Sequence, residues 1–192
     1  MERGHPGAME TRRLGRSGIA VGAVGMGCWA IGGPWRFDGR DAGWGTVDDD
    51  ESIATIRRAL DLGVTLFDTA DVYGCGHSER VLGRGLAGRR DEAVIATKIG
   101  LLFDKARREG SGTDASPAYA RRACEASLRR LSTDRIDLLL VHSGIEGPTD
   151  VPPLIDALER LVAEGKIRAY GTGDERPEIV RSSVRCEGED TP

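Results

Sequence analysis

An acid, a phenol, an ammonium and an imidazole occur in this chain in an order that suits proton transfer. Asp68 and Tyr73 lie in Phe67-Asp68-Thr69-Ala70-Asp71-Val72-Tyr73-Gly74, Lys98 closes Ala96-Thr97-Lys98, and His142 closes Leu139-Leu140-Val141-His142. A phenol is a poor acid near neutrality, with an ordinary pKa of about 10. A neighbouring ammonium favours the phenolate, so the proton leaves more readily. A carboxylate would keep that ammonium charged and in place, and an imidazole could hydrogen-bond a polar substrate atom. Singly, each residue has an ordinary reading as a cap, a solvated strand end, loop packing or a satisfied core-edge histidine. Their shared placement at the ends of apolar runs favours a site.

Those runs alternate with amphipathic segments. Strands are expected over residues 19–28, 64–68, 93–98, 136–142 and 167–171. The strand at 136–142 is almost purely aliphatic, as suits a strand covered on both faces. Between strands one and two, Asp48 is a candidate N-cap with Glu51 as its capping-box partner. Ile53, Ile56 and Leu60 then line one helix face up to Gly63. Ser78 is read as the cap of a second helix carrying Val81, Leu82 and Leu86. Ser116-Pro117 is a strong start for a third, because proline at the first helical position gives up only an N–H without a partner; Cys124, Leu128 and Leu131 form its buried face. Leu154, Leu158, Leu161 and Val162 mark a fourth helix, stopped by Gly165. Alternation of this kind implies parallel βαβ units. An open doubly wound sheet and a closed barrel both satisfy it. In a barrel the strand C-termini open on one face, which would bring the four polar residues together.

These segments resemble the N-terminal portion of the aldo-keto reductase family, whose fold is a parallel (β/α)8 barrel of TIM type. Asp68, Tyr73, Lys98 and His142 match that family's catalytic tetrad in order and at the expected strand ends. Leu14-Gly15-Arg16-Ser17-Gly18-Ile19 and Gly25-Met26-Gly27-Cys28-Trp29 resemble its opening hairpin and first strand, and Asp49-Asp50-Glu51-Ser52 and Ser78-Glu79-Arg80-Val81-Leu82-Gly83 match further segments. The similarity covers residues 10 to about 171. It implies an NADP-dependent oxidoreductase, with NADPH as cofactor, that reduces an aldehyde or ketone to an alcohol. Reduction needs a hydride at carbon, which no side chain supplies, and a proton at oxygen, the role implied for Tyr73. Asp68 would hold Lys98, and His142 would orient the carbonyl. Trp29 and Asp68 are the positions implied beside the nicotinamide. Trp35 and Trp44, in a Gly-rich loop, are read either as substrate-pocket residues or as ordinary packing, and Trp29 shares that alternative.

Departures from the family appear after the fifth strand. A segment resembling Gly-x-Ser-Asn-Phe is expected there, and the chain reads Gly171-Thr172-Gly173-Asp174-Glu175. The last three strand–helix units, which in the family supply most of the dinucleotide grip, have no counterpart. A closed barrel takes about 250 residues against 192 here. The expectation is therefore an incomplete barrel of five strands and four helices over residues 9–179. A loose extension is expected at 1–8 and a polar tail unrelated to the family at 180–192. The alternative function is a non-catalytic half-barrel that associates with another chain, and self-association through the open barrel edges is expected.

Composition narrows the remaining classes. With 31 acidic and 27 basic residues the net charge is −4, which gives no general attraction to nucleic acid or anionic lipid. Arginines in residues 84–90 and 121–135 are spaced as solvated helix faces. No apolar run approaches the roughly 18 residues needed to cross a bilayer, and residues 1–8 lack the apolar core of a signal peptide. Cys28, Cys75, Cys124 and Cys186 are far apart, so free thiols in a reducing cytoplasm are expected. Cys75 and His77 are close in sequence but lack further ligands, so no metal site is expected. A small carbonyl compound is the expected partner.

Overall fold

The computed structural model describes residues 9–173 and residue 176; the segments 1–8 and 180–192 that the sequence reading set apart lie outside them. In chain order the strands and helices are β1 (Thr11–Arg13), β2 (Ala20–Gly22), β3 (Gly25–Gly27), β4 (Arg36–Phe37), β5 (Arg40–Asp41), α1 (Asp49–Asp61), β6 (Leu66–Asp68), α2 (His77–Gly85), β7 (Val94–Ile99), β8 (Leu101–Asp104), β9 (Glu109–Thr113), α3 (Pro117–Leu131), β10 (Ile136–Val141), α4 (Val151–Ala163) and β11 (Ile167–Thr172).

The central sheet settles the choice that periodicity left open. Its order is β11-β10-β7-β6-β3, every pair parallel for which a register is defined, so spatial order follows chain order without reversal. A doubly wound sheet must reverse at a switch point; sequential winding is that of a (β/α)8-type barrel. Four helices follow in the same sense, each packing on the next.

Local chemistry explains most boundaries. The Asp48 carboxylate accepts from the N–H groups of Asp50 and Glu51, satisfying two otherwise orphaned donors. Ser116 accepts from Tyr119 N–H at the start of α3, with Pro117 at its first position. Two expectations are corrected. Residues 19–28 form two strands: β2 turns away to pair antiparallel with β1, and only β3 enters the parallel sheet. Ser78 is not a cap either; Gly76, at φ +83°, fills that position.

Strand side chains alternate between faces. Phe67, Ile95 and Leu139 pack outward against Ile56, Leu82 and Leu128 of the helices. Leu66, Val94 and Ala169 turn inward, where Ile19 and Val21 of the β1–β2 hairpin cover them. Higher on the same face Leu138 and Leu140 are only half-buried.

An ion cluster ties three strands together near their N-terminal ends. Asp137, 1% exposed, accepts from Arg90 Nη2 at 2.7 Å, Arg168 Nη1 at 2.8 Å and Ile95 N–H at 3.0 Å. Burial alone would raise its carboxyl pKa, but the three donors hold it below the usual range. Asp137→Ala would leave Arg90 and Ile95 N–H without that acceptor. Removing one partner of a buried pair costs roughly 3–5 kcal/mol, so a urea titration should show a stability loss of that order. Asp91→Ala, which removes an exposed partner of Arg135, should barely move the same midpoint.

Candidate active site

Three chain segments meet at the C-terminal ends of β6, β7 and β10. The sheet register pairs Asp68 with Ala96 and Lys98 with Leu140, so consecutive strands end nearly level. Beyond β6 the chain continues along β7, with Thr69 N–H bonded to Ala96 O and Asp71 N–H to Lys98 O. It then turns through Tyr73 into α2. By alternation, Asp68 shares the inner face with Leu66, Lys98 with Val94 and Ala96, and His142 follows Leu138 and Leu140.

Lys98 is the hub. Its Nζ donates to both Asp68 carboxylate oxygens at 2.8 Å, to Thr69 O at 2.9 Å and to Tyr73 Oη at 3.4 Å. Its side chain is 13% exposed, whereas that of Asp68 is 43% exposed, so the ammonium lies deep and the carboxylate borders the opening. The His142 ring stands edge-on to Tyr73, 6.1 Å between centroids at 87°. Tyr73, Lys98, Asp68 and His142 are thus brought together as the sequence led one to expect.

Electrostatics decide the form of the imidazole. Burial lowers the His142 pKa from 6.5, the Lys98 ammonium lowers it further, and Asp68 opposes the shift. His142 is therefore neutral at neutral pH, with one N–H to donate. Its buried Nδ1 has no hydrogen-bond partner among the described residues. Beneath the site, burial pushes the Cys28 thiol up to about 12, the Asp68 charge adds to this and Lys98 opposes it. Cys28 is packing, with no thiolate to act as nucleophile.

The three tryptophans separate. Trp29 stacks on Tyr73, 5.7 Å between centroids at 17°, and Trp44 meets Trp29 edge-on at 5.9 Å. Both are substantially exposed. Trp35 is buried with Ala70, Val72 and Cys75 in a small core that Tyr73 also touches. Cys75 and His77 do not join in a ligand set: Cys75 is in that core and His77 Nε2 bonds Asp49 Oδ1 at 2.7 Å. Thr172 Oγ1, at the end of β11, donates to Val141 O at 3.4 Å. Asp174 and Glu175 lie outside the described residues.

Support for the Tyr73 loop comes from residues that sequence reasoning missed. Ser78 Oγ donates to Cys28 O at 2.6 Å and contacts Thr69 Oγ1 at 2.8 Å, joining three chain segments below the site. Glu79, fully buried, accepts from Arg130 Nε at 2.5 Å and Thr97 Oγ1 at 2.7 Å. Asp71 is buried with Oδ1 unpartnered among the described residues, and burial followed by the Glu79 charge raises its pKa well above the usual value. The available signal was a Ser and a Glu on the apolar side of α2, where solvated residues are not expected. The loop after β3 presses against Tyr73 because Gly74, at φ +60°, has no Cβ; one there would sit 2.0 Å from Gly32 O.

The site is thus a sequentially wound parallel sheet that carries, at its strand ends, a buried ammonium and a half-open carboxylate beside a tyrosine. Comparison with known proteins is specific: the family model described as "Aldo/keto reductase family" matches residues 23–191, and the chain belongs to that family. The match continues past residue 171, where the quoted motifs end, through residues 180–191. In Bacillus subtilis (strain 168), the chain is 35% identical over 178 residues to the uncharacterised oxidoreductase YqkF, covering 92% of this chain and 53% of that protein. It is 38% identical to the aldo-keto reductase YhdN, covering 86% and 47%. An aldo-keto reductase of Bacillus halodurans in its holo form superposes with TM-score 0.76 at 35% identity, over 90% of this chain and 53% of that one. One from Klebsiella pneumoniae in complex with NADPH gives 0.71 at 32% identity, over 91% and 53%. The chain therefore spans about half the length of the relatives it matches.

The coupling between His142 and Lys98 can be measured. The unfolded chain binds more protons at His142 between its lowered folded pKa and 6.5, so stability falls as pH drops through that window. The contribution is fully present above the unfolded value and lost below the folded one. His142→Gln should remove this slope from pH-dependent urea melts. Lys98→Met should move the His142 titration, followed by imidazole NMR signals, upward toward 6.5; an unmoved titration would show that the ammonium does not act on this ring.

Proposed function

We propose that this chain carries the proton-transfer half of an NADP-dependent carbonyl reductase, converting an aldehyde or ketone to an alcohol. The observation that carries the reading is the placement of Lys98 Nζ within hydrogen-bonding reach of both the Asp68 carboxylate and the Tyr73 hydroxyl. The cofactor, when bound, supplies the hydride. Tyr73 then gives its proton to the carbonyl oxygen, and the nearby ammonium stabilises the charge left on the phenolate. Asp68 holds that ammonium in place, and the neutral His142 donates its N–H to the same oxygen. One C–H and one O–H bond form, and the phenolate is reprotonated from solvent.

The residues present fit the nicotinamide end of such a cofactor. The Asp68 carboxylate is half-open beside the buried ammonium, Trp29 offers an exposed ring stacked on Tyr73, and His142 Nδ1 has no hydrogen-bond partner among the described residues. Trp29 and Asp68 would border the ring. NADPH in the Klebsiella pneumoniae relative supports NADP as the cofactor class. Among the described residues no helix is long and apolar enough to cross a membrane.

The second reading, a half-barrel that associates, is favoured by the sheet edges. Among the described residues the outer edges of β3 and β11 pair with no other strand, and Leu138 and Leu140 are half-buried on the inner face. Unpaired edges and open apolar faces drive association. Purified alone, residues 1–192 should self-associate in sedimentation velocity and show no NADPH oxidation with a panel of aldehydes. A cooperative monomer with turnover would overturn this.

The catalytic reading is tested by joining residues 1–173 to the C-terminal half of a relative. In that chimera Tyr73→Phe should lower kcat/KM by about 10²- to 10⁴-fold, the usual contribution of a general acid. NADPH affinity by fluorescence titration should stay unchanged. Near-full turnover in the variant would remove Tyr73 from the mechanism.

A further inference from the structure

Beside the Tyr73 loop lies a second cavity, of about 420 Å³, walled by Trp35, Arg36, Arg107, Arg108, Asp41 and Gly43 among others. Three arginines line it against one aspartate, although the chain as a whole is acidic. Their pairing is poor. Arg36 Nε is 3.7 Å from the exposed Asp41, and Arg107 Nε is 3.8 Å from Asp104. Arg108 has no carboxylate within salt-bridge distance among the described residues; it donates to Pro34 O at 2.7 Å and Gly32 O at 2.9 Å. Trp35 is 6% exposed, and its indole Nε1 has no acceptor among the described residues. Three guanidinium charges met only by two loose ion pairs leave net positive charge at the cavity, and the ligand chemistry that balances it is an oxyanion.

The cavity is also formed by specific backbone. Arg108 takes a left-handed conformation, φ +52°, uncommon for a residue with a side chain. That turn between β8 and β9 points its guanidinium back onto the loop that follows β3. Gly43 allows the same loop to close, since a Cβ there would lie 2.2 Å from Gly33 O.

We propose that this cavity is an oxyanion site, taking a phosphate or carboxylate on Arg108, Arg107 and Arg36. Guanidinium forks suit both groups. The occupant is either a free anion or the anionic end of a carbonyl substrate, since the Trp35 wall packs in the same small core as Tyr73. Binding of the anion does not depend on the reductase reading.

Equilibrium dialysis of residues 1–192 against labelled inorganic phosphate at low salt tests this, and it works whether or not the chain self-associates. Saturation at one phosphate per chain is expected. Arg108→Gln should weaken binding by about tenfold, the loss of one charge-assisted hydrogen bond. Arg107→Gln, an exposed side chain that holds no loop carbonyl, should weaken it several-fold with an unchanged circular dichroism spectrum. Arg135→Gln, far from the cavity, should leave it unchanged. Displacement by 4-carboxybenzaldehyde but not benzaldehyde would assign the site to a tethered substrate anion; displacement by neither would assign it to a free anion. No saturable uptake, or equal uptake by wild type, Arg107→Gln and Arg108→Gln, would overturn the proposal.

Discussion

A lysine ammonium cannot lie 13% exposed at a strand end without partners. Lys98 meets that constraint with two carboxylate oxygens, a backbone carbonyl and a phenol, and the acceptors come from one continuous segment, residues 68–73. That segment must run along β7, close enough for Asp71 N–H to reach Lys98 O, before it turns into α2. Parallel pairing of β6 with β7 is therefore what makes the cluster possible, and the cluster in turn fixes how the loop leaves the sheet. Burial disfavours a charged His142, and the same ammonium adds to this, because a second cation beside Lys98 is disfavoured.

Elements governed by local chemistry were legible in the sequence. The caps at Asp48 and Ser116 act over two or three residues, and the aliphatic run before His142 had few alternatives. The site residues were legible because Asp68, Lys98 and His142 each close an apolar run and Tyr73 follows one in the next loop, a pattern that survives boundary errors of a residue or so. Ser78 was misjudged for a physical reason: a serine at a helix start can cap or turn inward, and the choice rests on Cys28 O and Thr69, 50 and nine residues away in the chain. The single strand expected at residues 19–28 failed in the same way. Ala23 N–H bonds Glu10 O and Val24 is largely exposed, so the apolar run breaks between two sheets.

The small sheet of β4, β5, β8 and β9 left almost no trace in the sequence. Its strands include Arg36-Phe37, Arg40-Asp41 and Glu109-Gly110-Ser111-Gly112-Thr113, charged or Gly-rich segments with little strand propensity. They form because Trp35 and Phe37 have a surface to cover, the one made by Ala70, Val72 and Cys75 behind Tyr73. Propensity is overridden by tertiary burial, and the result is a brace for the Tyr73 loop that periodicity could not reveal. Asp137 is the converse case. A charge inside an aliphatic strand signals a buried partner, yet Arg90 and Arg168 are 47 and 31 residues away and share no local pattern with it.

These features divide the sheet by function from one end of its strands to the other. Near the strand N-termini, Asp137 is fully satisfied on the helix side by two guanidiniums and a backbone donor, and the β1–β2 hairpin covers the inward apolar residues Leu66, Val94 and Ala169. At the C-termini, polar groups are held but not saturated: Asp68 is half-open, and His142 Nδ1 has no hydrogen-bond partner among the described residues. Buried polar groups cost free energy unless bonded, so a fold keeps them unmet only where something else completes the bonds. The saturated end stabilises the sheet, and the unsaturated end is where a ligand gains most from binding. The same strands can serve both purposes because the strand direction sorts their side chains between the two ends of the sheet.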